Sequence, residues 1–145
     1  IKEENIDIFR NQLIKSYEKS YAYTNKDLNI FLDSIIAPSA LNENFFEEVN
    51  FLSPYGSGNN EPKFMIENIK VIKSTIIAHK HISSILIGKD GSTFKGFTWN
   101  GKNSPLEPFL DKKNKKNINI VGKMRLNEWR GQKKIEFIIE DISEN

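Results

Sequence analysis

Ser104-Pro105-Leu106-Glu107-Pro108-Phe109-Leu110 lies between two stretches of alternating sequence and decides the fold. Proline directly after serine suits the first turn of a helix, where its missing N–H would have no partner anyway. A glutamate three residues after the serine completes a capping pattern. A short helix is predicted here, carrying Leu106, Phe109 and Leu110. Upstream, Lys63 to Ile76 reads as a long strand, His81 to Ile87 as a second and Thr93 to Trp99 as a third. Gly88-Lys89-Asp90-Gly91 supplies hairpin chemistry between the last two. Downstream, Asn117 to Leu126 reads as a fourth strand. Ile118, Ile120, Gly122, Met124 and Leu126 take one face, and Asn119, Lys123 and Arg125 the other. Lys134 to Ile142 is a fifth, with Ile135, Phe137 and Ile139 turned inward.

Three strands, a short helix and two strands is the order of an OB fold, although five strands alone would also suit an SH3-like barrel or part of a sandwich. The predicted class is α+β and mainly β: a five-stranded OB barrel over 63–145, preceded by a helix–strand–helix remnant of an upstream domain over 1–53. In that remnant, residues 3–22 form an amphipathic helix, with Ile6, Phe9, Leu13 and Tyr17 at helical spacing. Leu28 to Ile36 is read as a strand. A second helix follows Asn42 as N-cap, with Leu41 stapled onto Phe46 and Val49 continuing the face. Residues 54–62, crowded with Pro, Gly and Asn, are read as a boundary loop through which no helix or strand runs.

Charge divides along the same line. Of 21 basic and 19 acidic residues, Ile1 to Glu61 holds 5 and 10, and Pro62 to Asn145 holds 16 and 9. The halves carry −5 and +7, which marks the second as a candidate polyanion binder. A lysine-rich composition with solvated faces would give the same count. With 38% hydrophobic and 28% charged residues, the chain has the composition of a folded globular protein. No apolar run approaches the ~20 residues of a membrane span, so no membrane is expected as a partner. There is no cysteine, so disulfides and thiolate metal sites are excluded and a cytoplasmic setting is the expectation. The first residue is Ile, and the chain is expected to be a piece of a longer protein.

OB barrels commonly bind ligand on strands two and three, between the loop joining strands one and two and the loop joining strands four and five. The first of these loops holds His79, Lys80 and His81. The second reads Asn127-Glu128-Trp129-Arg130-Gly131-Gln132-Lys133-Lys134. An indole beside cations suits single-stranded nucleic acid, whose bases offer open ring faces and whose backbone offers negative charge. The candidate nucleic-acid-binding residues are Tyr55, Lys80, His81, Lys95, Arg125, Asn127, Trp129, Arg130 and Lys133, with Lys123 extending the basic surface. Trp129 could instead fold back to cap the barrel. Phe97 and Trp99 share a strand face, for which core packing is the favoured reading. Lys95 shares that nominal face and leaves the binding side open. Lys112, Lys113, Lys115 and Lys116 read as a solvated loop acting only at long range.

Nothing in the residues points to catalysis by this chain alone, and no catalytic residue is assigned. His79 and His81 are the only histidines, fewer than the three protein ligands of a catalytic zinc. The Gly56-Ser57-Gly58 pair leads into a strand rather than a helix, and neither a phosphate-binding loop nor a triad pattern is present. Asp33 and Glu61 are lone acids suited to turns or caps.

The boundary loop also carries a family resemblance. Leu52-Ser53-Pro54-Tyr55-Gly56-Ser57-Gly58-Asn59-Asn60-Glu61-Pro62-Lys63-Phe64 resembles the L-x-P-F/Y-G-x-G-N-P-E-P-x-F stretch of RecJ-type exonucleases, single-strand-specific DNA nucleases of the DHH phosphoesterase superfamily. His81-Ile82 is similar to the family's His-Leu, Asn127-Glu128-Trp129-Arg130-Gly131 to its Asn-x-Trp-x-Gly turn, and Glu140-Asp141 to its closing Glu-Asp. The first helix and strand resemble the end of the DHHA1 domain. Asn60 stands where the family usually has Pro, and Ser83 where it often has Lys or Arg, a contact that Lys80 would replace. The resemblance implies a parent enzyme that degrades single-stranded DNA from its 5′ end in recombination and repair. It implies Mn2+ or Mg2+ in a DHH domain lying outside this chain, and no cofactor within it. The implied partners are single-stranded DNA and the upstream DHH and DHHA1 domains. A competing reading is a protein-interaction module that docks an acidic partner, such as the tail of a single-strand-binding protein.

Overall fold

The computed structural model describes residues 2–20, 29–129 and 131–144, with nothing said of the side chains of residues 18–20 and 129. Backbone contacts divide the chain into two compact units, Ile1–Phe31 and Leu32–Asn145. In the first, a single 3₁₀ turn leads into α1 (Ile6–Ser20), the helix expected from its spacing. Its apolar residues Phe9, Leu13 and Tyr17 are exposed. No helix among the described residues is long and apolar enough to cross a membrane.

The second unit opens with β1 (Ser34–Ile35), a 3₁₀ turn and α2 (Glu43–Asn50). Among the described residues, the strand expected over 28–36 shrinks to those two positions, which run parallel to the start of β2 (Phe64–Ile77). Just before it, Asp33 uses both backbone and side chain on Lys63: its N–H donates to the Lys63 carbonyl and its carboxylate accepts the Lys63 N–H at 2.8 Å. That clamp replaces further strand pairing. Asn42 caps α2 as expected, accepting the Phe45 N–H at 3.0 Å.

The remaining strands are β3 (His81–Ile87), β4 (Thr93–Thr98), β5 (Ile118–Trp129) and β6 (Gln132–Glu144), with the one-turn α3 (Glu107–Leu110) between β4 and β5. β2 pairs with β3, β3 with β4, β4 in parallel with β6, β6 with β5, and β5 returns to β2. The circuit of five strands is closed, in OB order. α3 starts later than its capping sequence suggests. The Ser104 hydroxyl accepts the Leu106 N–H, and the Glu107 carboxylate reaches back to the Asn103 N–H, so the cap closes a turn before the helix begins.

Long strands need bulges to bend round a small barrel. β2 has one between Ile66 and Ile69, where Asn68 takes a φ of 58° and donates its N–H to the Asn119 side chain at 3.0 Å. The bulge flips the alternation, so Phe64, Ile66 and Ile69 are all buried. β5 and β6 shift register between Val121 and Gly122, and a Cβ at Gly122 would lie 1.8 Å from the Ile138 carbonyl oxygen. Only glycine allows the two strands to approach there. The core comprises Phe64, Ile66, Ile69, Ile82, Leu86, Phe94, Leu110, Ile118, Ile120, Met124, Phe137, Ile139 and Ile142.

Leu41, Phe45, Phe46 and Val49 from the α2 region pack onto this core. The loop at 54–62, expected as a domain boundary, therefore lies inside the second unit. The apolar face of α2 has been absorbed by the barrel beyond the loop, and the unit begins at Leu32.

Candidate nucleic-acid interface

Along β4 the side chains alternate strictly. Phe94 belongs to the core, and a Cβ on Gly96 would meet Leu86 and Ile139 inside the barrel. Thr93, Lys95 and Phe97 therefore point outward. The sequence favoured core packing for Phe97 and Trp99; Phe97 is indeed buried, and the structure corrects the reading for Trp99. Phe97 lies outside the barrel, under other surface side chains, and Trp99 is 53% exposed. The two rings meet edge to face at 4.7 Å between centroids. His81 completes the group, 5.6 Å from Phe97 and 4.7 Å from Trp99. Its orientation is set from behind: Nδ1 accepts the Asn100 N–H at 3.0 Å. The Arg125 guanidinium lies 5.4 Å from the Phe97 ring centre and 5.5 Å from that of Trp99. Three strands thus build one aromatic surface with a cation on it.

The same Arg125 faces a residue that sequence reading did not single out. Glu136 is 2% exposed and sits between Lys95 and Arg125 in the strand register of β4, β6 and β5. Lys95 donates to one carboxylate oxygen at 2.6 Å, Asn127 to the same oxygen at 2.7 Å, and Arg125 to the other at 2.8 Å. Burial pushes this carboxyl up, but hydrogen bonds from Lys95, Arg125 and Asn127 outweigh it and hold the pKa below its ordinary value. Glu136 is a charged carboxylate at neutral pH, saturated with donors. Its only sequence signal was an acid set between the apolar Ile135 and Phe137, and that does not reveal its partners.

A second cluster lies one row further along β5 and β6. Lys123 contacts Glu61 at 2.9 Å and Glu140 at 3.5 Å, and Glu140 also pairs with Lys63 at 2.8 Å. The Lys123 pKa is raised, chiefly by the Glu61 hydrogen bond. Burial pushes Glu140 up, and the hydrogen bond from Lys63 and the charge of Lys123 bring it net downward. Lys123 and Arg125, expected to extend a basic surface, are thus each paired with acids.

The other expected site residues are spread more widely. Lys80 follows Ala78 and His79 in the β2–β3 turn and is exposed. Lys133 is exposed on β6, close to the β5–β6 turn. It lines a groove of about 350 Å³ with Lys95, Lys134, Ile135, Leu41 and Phe94. Tyr55 is tied to α2: its hydroxyl donates to the Val49 carbonyl near the helix end, and it lines a cleft of about 270 Å³ with Phe46, Phe64, Met124, Arg125 and Leu126. The Trp129 backbone pairs with Gln132 across the hairpin. The Trp129 side chain and the whole of Arg130 lie outside the described residues. The structure therefore brings together His81, Lys95, Arg125 and Asn127, adds Phe97, Trp99 and Glu136 to them, and leaves Tyr55 in a cleft that Arg125 also lines.

A closed five-stranded circuit of this order, with an aromatic and cationic outer face on its second and third strands, defines an OB fold. The chain belongs to the RecJ OB domain family, whose model matches residues 32–141. Among solved structures it is similar to RecJ in complex with Mn2+ from Thermus thermophilus, at 19% identity and a TM-score of 0.68, covering 99% of this chain and 20% of that one. The Mg2+ complex of RecJ from the same organism matches at 18% identity and a TM-score of 0.65, covering 98% of this chain and 20% of that one. The chain spans about a fifth of the length of those proteins. No curated protein sequence matches it.

Proposed function

We propose that this chain is the single-stranded-DNA-binding module of a RecJ-like exonuclease that degrades single strands from the 5′ end in recombination and repair. The observation that carries the reading is the half-exposed Trp99, directly after β4 on the outside of the barrel, beside His81 and Phe97 with Arg125 against its ring. A base stacks on an exposed aromatic face, and unpaired bases alone present their faces freely. OB folds bind oligonucleotides on the corresponding strands. Lys80 in the β2–β3 turn and Lys133 on β6, close to the β5–β6 turn, flank this surface as phosphate contacts.

Hydrolysis is assigned to the parent's DHH domain, upstream of this chain and in the cytoplasm, where Mn2+ or Mg2+ would activate water. Among the described residues here, no group of three or more His, Asp or Glu could hold such an ion, so these residues do not fit that centre. The role left to this chain is to hold the strand and lead it toward a site on the rest of the enzyme. A second reading has its own observation: the groove of about 350 Å³ sets Lys95, Lys133 and Lys134 against Glu43 and Glu136, a net +1, beside Leu41 and Ile135. That chemistry would suit an acidic peptide ending in apolar residues, such as the tail of a single-strand-binding protein.

Titration into a fluorescent single-stranded oligonucleotide tests the first reading, with matched duplex as control, at two salt concentrations, for the wild-type chain and for Trp99→Ala and Trp129→Ala. Preference for the single strand, weakened by salt and by Trp99→Ala, supports it. Binding of an acidic peptide without binding of DNA would transfer the argument to the second.

A further inference from the structure

We infer that Glu136 is a specificity residue: by neutralising cations on the outer face of β4, β5 and β6, it makes that face select single strands against duplex. The inference rests on the DNA-binding reading above and deepens it. Arg125 lies against the aromatic group and Lys95 shares the outer face of β4 with Phe97, and both cations are tied to one carboxylate. The row therefore carries a net charge of +1 rather than +2. One row along, Lys63 and Lys123 are balanced by Glu61 and Glu140.

The consequence follows from what each form of DNA offers a flat surface. A duplex offers phosphates, because its bases are stacked and paired, and its attraction grows with each uncompensated cation. A single strand also offers base faces, and stacking on Trp99 is largely independent of salt. A carboxylate beside the stacking surface removes much of the first attraction and leaves the second. It also weakens the local pull on phosphates, so a bound strand turns its bases toward the rings and its backbone toward Lys80 and Lys133, whose charges no acid of this row balances. Glu136 has a second effect, since its bond to Arg125 fixes the guanidinium that lies against Phe97 and Trp99.

The test compares affinity against salt for single-stranded and duplex oligonucleotides, using the 145-residue chain. Glu136→Gln frees one net positive charge. The plot of log affinity against log salt should steepen by about 0.7 for single strands and about 0.9 for duplex. Duplex affinity at low salt should rise by more than the single-strand affinity, so that their ratio falls several-fold. Adding Lys95→Met to that variant returns the row to its original net charge and should restore the slope and ratio, which loss of packing alone would not do. Thr93→Lys adds a free cation at an exposed outward position of β4, leaves the buried carboxylate intact, and should act in the same direction as Glu136→Gln. It keeps the test decisive if Glu136→Gln does not fold. Unchanged slopes and ratio in Thr93→Lys and in any folded Glu136→Gln overturn the inference while the DNA-binding reading stands. Absence of single-strand binding by the wild-type chain overturns both.

Discussion

The Arg125 guanidinium lies 5.5 Å from the centre of the Trp99 ring, on the outside of the barrel. The ring remains half exposed, so the cation covers part of it and leaves the rest open to a second planar group. Removing the ring removes the platform. Trp99→Ala is expected to weaken single-strand binding by about 1–3 kcal/mol, or roughly 5- to 150-fold, with little effect on salt dependence. Fluorescence anisotropy at two salt concentrations measures both. An affinity unchanged by the substitution would remove Trp99 from the interface.

Acid should loosen the outer face. The Glu136 and Glu140 carboxyls have folded-state pKa values below their ordinary value near 4.5. Carboxyls shifted this way contribute stability that is fully present above the unfolded-state pKa and is lost as pH falls through the lowered folded-state value. The melting temperature is therefore expected to hold between about pH 7 and 5.5 and to fall steadily below about pH 4.5. Glu136→Gln should flatten that fall. A melting temperature that rises below pH 4.5 would contradict the assignment.

Gly122→Ala tests the β5–β6 approach. Its Cβ would sit 1.8 Å from the Ile138 carbonyl oxygen, against backbone that has no rotamer to change. The strands must separate locally, and the expected loss is about 3 kcal/mol or more. Urea unfolding followed by circular dichroism gives the number, and wild-type stability in this variant would mean that the register shift lies elsewhere.

The β2–β3 turn offers a stabilising change. Ala78 has a φ of 49°, in the left-handed region where a Cβ costs about 1–2 kcal/mol. Glycine relieves that cost and returns part of it as unfolded-state entropy. Ala78→Gly should therefore gain about 0.5 kcal/mol, read as a higher melting temperature, without moving Lys80 out of the turn. A lower melting temperature would show that the turn is held by something other than its backbone geometry.

Much of the barrel was legible in the residues. The alternation in β5, Ile118-x-Ile120-x-Gly122-x-Met124, states which face is inside, and Ser104-Pro105 marks the turn that separates the third and fourth barrel strands. Hydrophobic periodicity is local, and each strand declares its own faces. The helix after Asn42 was legible for the same reason. Its destination was not, because an apolar face says only that something must cover it. The loop at 54–62 reads as punctuation, and punctuation does not reveal whether the chain folds back across it.

The site was legible in type and less so in place. The spacing of Lys95, Phe97 and Trp99 puts them on one face of a strand, yet spacing alone does not decide whether that face looks inward. Gly96 decides it, by letting Leu86 and Ile139 close over the inner side. By itself, then, the sequence determined the order of elements, the faces of the strands and the chemistry available for binding. Only the tertiary structure decided which cations remain free. Lys95 and Arg125 lie 41 and 11 residues from Glu136 in the chain, and strand register alone brings them to its carboxylate. Electrostatics depends on distances between side chains, and a barrel sets those by closing strands that are remote in the chain.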